Sequence, residues 1–275
     1  MDYGKQLDLV RQKAPLVQCI TNFVTVNDCA NIVLAAGGSP SMADDIREAA
    51  EAVAGAGALV CNLGAIRCVD AMVEAGKAAN ELGVPVILDP VAAGNTSLRQ
   101  RESKRLLAQV RFSAIRGNAS EIRALVSGEL AGSGVDVGAE DAVTETTLPR
   151  TVATARQLAK ETGAVVAVSG PIDVVTDGER TVLLRNGCAT MARITGSGCM
   201  LTAMLGAFCG ASREHIFEAA CAAVGAMGVA GEAAEARRIA NGTGNATFRT
   251  DLIDAVFNMT AEQLNGGIRD EIYQG

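Results

Sequence analysis

The stretch Val69-Asp70-Ala71-Met72-Val73-Glu74-Ala75-Gly76-Lys77-Ala78-Ala79-Asn80-Glu81-Leu82-Gly83-Val84-Pro85-Val86-Ile87-Leu88-Asp89-Pro90 decides the fold class. Val69 to Leu82 carries apolar residues at helical spacing, and Gly83 stops it. Val86-Ile87-Leu88 is too short for a helix and has no polar face, as expected of a strand covered on both sides. The same alternation extends in both directions. Towards the N-terminus, Leu16-Val17-Gln18-Cys19-Ile20 reads as a strand after a first helix. Val24 to Ala36 reads as a helix ending at Gly37-Gly38, and Asp44 to Ala54 as another with two acids at its start. Ala58 to Asn62 is a strand. Towards the C-terminus, Leu98 to Val110 is a helix, Ser113-Ala114-Ile115 a strand, and Asn118 caps a helix to Val126. Thr151 to Glu161 and Ala164 to Val168 repeat the pair. Short buried strands alternating with longer helices predict an α/β fold with a mainly parallel sheet covered on both faces.

The sheet gains antiparallel strands late, because Asp173-Val174-Val175-Thr176 and Arg180 to Leu184 flank the hairpin turn signal Asp177-Gly178. Ser197 to Cys209, Glu214 to Ala236 and Ala246 to Asn258 are predicted to close the chain as helices. Gly128 to Leu148, rich in glycine and acids, reads as an exposed insertion. With no repeat, low-complexity tract or Pro-rich linker, residues 1–275 are expected to form a single domain.

The 275 residues carry a net charge of −7, and 49% are hydrophobic. That excludes a disordered chain and argues against a nucleic-acid partner, for which an acidic protein has no broad attractive field. Only 3% are aromatic and none is Trp, leaving few platforms for stacking bases. No apolar run of about 18 residues is free of charge or frequent Gly, so no membrane span is expected. The first residues, MDYGKQLDLVRQKAP, hold no apolar signal core. A soluble, cytoplasmic protein is the expectation. None of the eight cysteines forms a pair spaced by two residues, and His215 is the only histidine, so zinc patterns fail. The cysteines read as reduced core thiols, with Cys199 set apart by its position. Gly225, Gly228 and Gly231 lie inside a helix, where each costs about 1 kcal/mol relative to Ala. Close packing of another segment is the expected return.

Chemistry gathers at strand ends. Thr195-Gly196-Ser197-Gly198-Cys199 opens an apolar helix, where free N–H groups and the helix dipole favour an anion. Cys199 sits at that start. The dipole favours thiolate there while apolar neighbours oppose it, and the sequence leaves the balance open. With no His to pair it, a nucleophilic thiol is disfavoured and a proton acceptor for a substrate hydroxyl is the better role. Asp89-Pro90 ends a buried strand, the place where open α/β sheets bind ligands, and Asp89 suits Mg²⁺ held through water. In Arg116-Gly117-Asn118-Ala119-Ser120-Glu121, Arg116 offers a cation to phosphate. Glu121 suits either a metal-bound water or a capping box with Asn118. Ser169, at another strand end, is placed to touch a nucleotide phosphate. Asn22 offers a polar edge to a ligand, and Met42 either a polarizable wall or ordinary core packing. No Gly-x-x-x-x-Gly-Lys-Ser/Thr loop occurs, and Gly132-Ser133-Gly134 follows no strand, so it is no dinucleotide fingerprint. Gly-rich, acidic and basic elements on one sheet edge suit phosphoryl transfer, which needs alignment and charge stabilisation.

Together, Gln18-Cys19-Ile20-Thr21-Asn22-Phe23-Val24, Ser39-Pro40-Ser41-Met42-Ala43, Leu88-Asp89-Pro90-Val91, Ile115-Arg116-Gly117-Asn118-Ala119-Ser120-Glu121-Ile122 and Thr195-Gly196-Ser197-Gly198-Cys199 resemble the hydroxyethylthiazole kinase family of the ribokinase-like superfamily. The resemblance runs from about residue 5 to residue 262. It implies a three-layer α/β/α fold and ATP-dependent phosphorylation of 4-methyl-5-(2-hydroxyethyl)thiazole with Mg²⁺ in thiamine salvage. It also implies a homotrimer with substrate sites at subunit interfaces. Under it, Met42, Asn22 and Gly196 serve the thiazole alcohol. Arg116, Ser169 and Asn118 serve ATP, and Asp89 and Glu121 the metal. Cys199, Gly196 and Gly198 act in catalysis. Ser169 stands where such kinases often carry Thr, and Cys199 where most ribokinase-like enzymes carry a catalytic Asp. A kinase of hydroxymethylpyrimidine, a dehydratase of hydrated nicotinamide nucleotide and a nucleotide-binding regulator are the alternatives.

Overall fold

The computed structural model describes residues 1–128 and 143–275. Strands β1 (Leu16–Ile20), β2 (Ser39–Ser41), β3 (Ala58–Asn62), β4 (Val86–Asp89), β5 (Ala114–Asn118), β6 (Val165–Ser169), β7 (Asp173–Thr176), β8 (Thr181–Leu184) and β9 (Asp270–Ile272) form one nine-stranded sheet of order β2-β1-β3-β4-β5-β6-β7-β8-β9. Pairing is parallel from β2 through β6 and antiparallel from β6 onward. The expected mainly parallel sheet with late antiparallel strands is therefore present.

Successive residues of one strand feed opposite cores. In β3, Ala58 and Val60 join one apolar cluster while Leu59 and Cys61 join the other. One face is covered by α1 (Tyr3–Lys13), α2 (Val26–Ala36), α8 (Ser197–Ala211), α9 (Ile216–Asn241), α10 (Asn245–Asn258) and α11 (Ala261–Gly267). The other is covered by α3 (Ala49–Ala52), α4 (Val69–Glu81), α5 (Ser97–Gln109), α6 (Ala119–Ser127) and α7 (Leu148–Thr162). This is the three-layer α/β/α arrangement.

Helix α9 is long and apolar enough to cross a membrane by length and composition, yet 72% of its most apolar window is buried in the fold. Its glycines admit neighbours. A Cβ on Gly228 would lie 2.6 Å from Asn186, and one on Gly225 or Gly231 would overlap Ile268 or Met191. The packing expectation for this triplet holds.

Three expectations need correction. Asp44 to Ala54 is not one helix. Asp45 accepts the Arg47 N–H at 2.9 Å in a turn, and only Ala49–Ala52 is α-helical before a 3₁₀ turn at Val53–Gly55. Val24 and Thr25 belong to a turn because Asn22 Oδ1 accepts both of their N–H groups, at 3.1 and 3.2 Å. The chain does not close on helices, because β9 pairs with β8. Most of the 128–148 insertion, including Gly132-Ser133-Gly134, lies outside the described residues.

Both sheet edges are short. The β2 edge is three residues long with Pro40 at its centre, and the β9 edge begins Asp270-Glu271.

Candidate active site

Six side chains assemble where the parallel strands end. Asn22 follows β1, and Asn62 and Asp89 face each other as the last residues of β3 and β4. Arg116 lies in β5 opposite Ala167, and Asn118 pairs with Ser169 at the ends of β5 and β6. The start of α8 meets this edge from the side covered by α9.

Asp89 is fully buried. Its Oδ2 accepts from Thr202 Oγ1 at 2.8 Å and from Asn62 Nδ2 at 2.9 Å. Its Oδ1 has no hydrogen-bond partner and lies 3.8 Å from Arg116 Nη1. Burial raises its pKa, against the pull of Arg116. Arg116 in turn donates from Nη2 to Ser169 Oγ at 2.5 Å, while its buried Nε has no partner. A cation and an anion therefore share the site with unspent polar atoms. Burying these without a ligand is unfavourable.

The α8 start is built for close approach. Gly196 adopts φ 81° against the Thr25 side chain, and no side chain caps the helix. A Cβ on Gly198 would overlap the Arg116 guanidinium. The helix start thus presents bare backbone donors beside a guanidinium. Cys199, one turn below, accepts from Asn62 Nδ2 at 3.2 Å and Asn22 Nδ2 at 3.4 Å. Burial raises its thiol pKa, and Asp89 adds to the effect. The balance left open by the sequence falls on the side of a neutral thiol, because desolvation and the Asp89 carboxyl outweigh the hydrogen bond from Asn62 and the pull of Arg116.

Glu121 is organised differently. Its Oε2 accepts the Asn118 N–H at 2.8 Å and completes a capping box with the Asn118 side chain. Its Oε1 accepts the Ala92 N–H at 2.8 Å. Ala92 has φ 57°, in the left-handed region, so this bond holds the turn after Asp89 in an unfavourable backbone state. Burial, then Asp89, pushes the Glu121 pKa up to about 6. Arg99 of α5 braces the same edge, donating to the Leu63 and Val91 carbonyls at 2.8 and 2.9 Å.

Met42 is half-buried beside the core that Cys199 joins, and Gln18 Nε2 donates to the neighbouring Ala43 carbonyl. Asn22, Asp89, Arg116, Ser169, Gly198 and Cys199 therefore form one hydrogen-bonded or touching group. Gly196, Asn118 and Glu121 flank it, and no bond ties Met42 to it. Sequence reasoning misses Asn62, Thr202 and Asp173. Asn62 carries the same signal as Asp89, a polar residue ending a buried strand. Thr202 lies one helical turn beyond Gly198. Asp173 Oδ1 accepts the Gly170 N–H at 2.9 Å, and desolvation pushes its pKa up to about 7.

The model of the "Hydroxyethylthiazole kinase family" matches residues 7–262. A hydroxyethylthiazole kinase of Desulfovibrio desulfuricans is 49% identical over 91% of each chain. One from Clostridium acetobutylicum is 43% identical, covering 98% of this chain and 99% of its own. The structure of the hydroxyethylthiazole kinase protein from Pyrococcus horikoshii superposes with a TM-score of 0.86 at 32% identity, covering 99% of both chains. A Bacillus subtilis pyridoxal kinase, 18% identical with a TM-score of 0.57 over 78% of this chain and 90% of its own, shares the fold alone. The resemblance carried by the sequence motifs extends over nearly all of the chain, which belongs to the hydroxyethylthiazole kinase family.

Proposed function

We propose that this chain, acting as one kinase domain, transfers the γ-phosphoryl group of ATP to the hydroxyl of 4-methyl-5-(2-hydroxyethyl)thiazole, a step of thiamine salvage. The observation that carries the reading is the Arg116 guanidinium seated against Gly198 at the uncapped α8 start, beside the orphaned Oδ1 of Asp89. An anion is matched by the first two features and a cation by the third.

Arg116 and the Ser169 hydroxyl take the ATP phosphates. Asn118, whose side-chain oxygen caps α6, keeps its amide nitrogen for the nucleotide. Gly196 and Gly198 let the backbone N–H groups of α8 approach the transferring phosphoryl, where negative charge is best stabilised by preorganised donors. Met42 and Asn22 border the thiazole alcohol. The alcohol attacks in line, and its proton leaves beside Cys199. The neutral thiol is no base, so the proton passes to an oxygen of the transferred phosphoryl group once the new O–P bond has formed and the bond to ADP has broken. This suits a loose transition state in which the nucleophile keeps its proton until late.

The residues fit a magnesium ion brought in with the nucleotide. Asp89 offers a buried, unpartnered oxygen, and the described residues hold no cluster of three or more ligating side chains. Mg²⁺ prefers one or two carboxylates, water and phosphate over an all-protein cage. Asp89 would hold it directly or through water, with Glu121 supporting through the Ala92 turn that it fixes beside Asp89, and the ion would neutralise charge on the triphosphate.

We infer a homotrimer with substrate sites at its interfaces; exposed Phe23 and Val24, 90% and 57% accessible and adjacent to Asn22, fit a subunit contact beside the site. Light scattering on the purified protein tests this, and a monomer overturns it. All eight cysteines are free, in keeping with a reducing, cytoplasmic setting. A coupled ADP-release assay over a panel of small heteroaromatic alcohols tests the activity. The thiazole alcohol should give the highest kcat/KM. ADP release with a hydroxymethylpyrimidine and none with the thiazole alcohol would overturn the reading.

A further inference from the structure

One buried side chain on the carboxyl edge has no part in the chemistry above. Asn62 is 1% exposed, and all its polar capacity is spoken for. Its Oδ1 accepts the Gly64 N–H at 2.9 Å and Asn22 Nδ2 at 3.3 Å. Those donors fix which way the carboxamide faces. Its Nδ2 therefore turns inward and donates both to Asp89 Oδ2 at 2.9 Å and to Cys199 Sγ at 3.2 Å.

Asn22 is oriented by the same device. Its Oδ1 accepts the Val24 and Thr25 N–H groups, and its Nδ2 is left for Cys199 Sγ at 3.4 Å. Two amides from two strand ends thus converge on one sulfur. Gly64 is part of the arrangement, since a Cβ there would stand 2.7 Å from Asn62 Oδ1. Helix α8 is tied in through Thr202, whose one hydroxyl proton is donated to Asp89 Oδ2 at 2.8 Å, with the Gly198 carbonyl 3.2 Å from the same oxygen.

A thiol is a weak acceptor. Two well-oriented amide donors exceed what it can use, and a charged acceptor gains roughly twice as much from the same donors. We propose that Asn62 is a positioning residue for phosphoryl transfer. It holds side chain 199 and Asp89 in fixed relation and, with Asn22, forms a donor cradle matched to an acceptor stronger than a thiol. This rests on the kinase activity proposed above.

A double-mutant cycle tests it. Wild type, N62A, C199D and N62A/C199D are assayed for kcat and for KM of both substrates by ADP release, with thermal melts to confirm folding. N62A should lower kcat about tenfold in the Cys199 enzyme, with KM for ATP within about twofold. In the C199D background the loss should reach about a hundredfold, a tenfold coupling between the two positions. A residue that merely supports the fold would cost the same factor in both backgrounds. Equal losses, or a loss confined to KM, would overturn the proposal. Should N62A fail to fold, the same cycle run with N62S, which also lacks both amide donors, decides by the same criterion. Failure of the kinase reading shows separately, as a wild-type enzyme that phosphorylates no thiazole alcohol.

Discussion

Asp89, which ends β4, and Glu121, in the first turn of α6 just after the neighbouring strand β5, are two buried acids, yet they are satisfied in opposite ways. Both Glu121 oxygens accept backbone N–H groups, from Asn118 and Ala92. Asp89 uses one oxygen on side chains and leaves the other without a partner. An acid whose oxygens are spent on peptide groups shapes the loop around it. An acid that keeps a buried oxygen unspent stores a desolvation cost that only a ligand relieves. The same charge thus serves as mortar in one place and as a contact in the other.

The contrast breaks if D89N leaves turnover intact. Its kcat/KM should fall on the order of 10²–10³-fold, the scale of losing one preorganised charge-stabilising group. Its melting temperature should stay close to that of the wild type, because relief of a desolvated carboxylate is set against loss of its ion pair with Arg116 at 3.8 Å. Next in size is R116A, which should raise the apparent KM for ATP about tenfold, as expected for a charge-assisted contact worth roughly 1.5–3 kcal/mol. Unchanged ATP kinetics would remove Arg116 from the site. E121A should show the reverse pattern to D89N. Orphaning two buried N–H groups costs about 1–3 kcal/mol each, read as a lowered melting temperature, and activity falls only as the Asp89 turn loosens. E121Q, which keeps one acceptor oxygen, should recover about half of that stability. A smaller effect is expected of C199A, a loss of a few fold in kcat, while C199D should retain or raise turnover. Loss of all turnover in a folded C199D protein would exclude a proton-accepting role at that position.

The smallest effect sharpens the comparison through pH. Desolvation also pushes the pKa of the half-buried Asp173 up to about 7, against an ordinary value of 3.8. Between those values the folded chain binds more protons than the unfolded one. The stability Asp173 contributes in acid is therefore lost as pH rises through 7. A D173N chain should show a flatter stability profile than wild type between pH 4 and 7. Superimposable profiles would mean that this carboxyl is not desolvated.

Much of this is legible from residue order because parallel strands buried on both faces leave plain marks. Val86-Ile87-Leu88 and Ala58 to Asn62 have no polar face, and the Asn118–Glu121 spacing announces the capping box that forms. What escapes are features set by distant partners. Ser39–Ser41 is a strand only because β1 lies beside it, and Pro40 argues locally against one. β9 exists only as a partner of β8. Asn62 and Thr202 look like ordinary strand-end and helix residues until the fold places both on Asp89. The Cys199 protonation state follows the same logic. The helix start is local and visible in sequence, whereas the burial and the Asp89 carboxyl that raise the thiol pKa come from elements far along the chain.

The two short margins of the sheet have a consequence for assembly. Proline at the heart of one margin and acids along the other deny an incoming strand its ladder of peptide bonds. Edge-to-edge pairing of sheets is thereby disfavoured, and copies of this chain are expected to associate through side-chain surfaces carried by helices and turns rather than through a continuous ribbon. Self-association and fibre formation are thus kept on separate parts of the molecule.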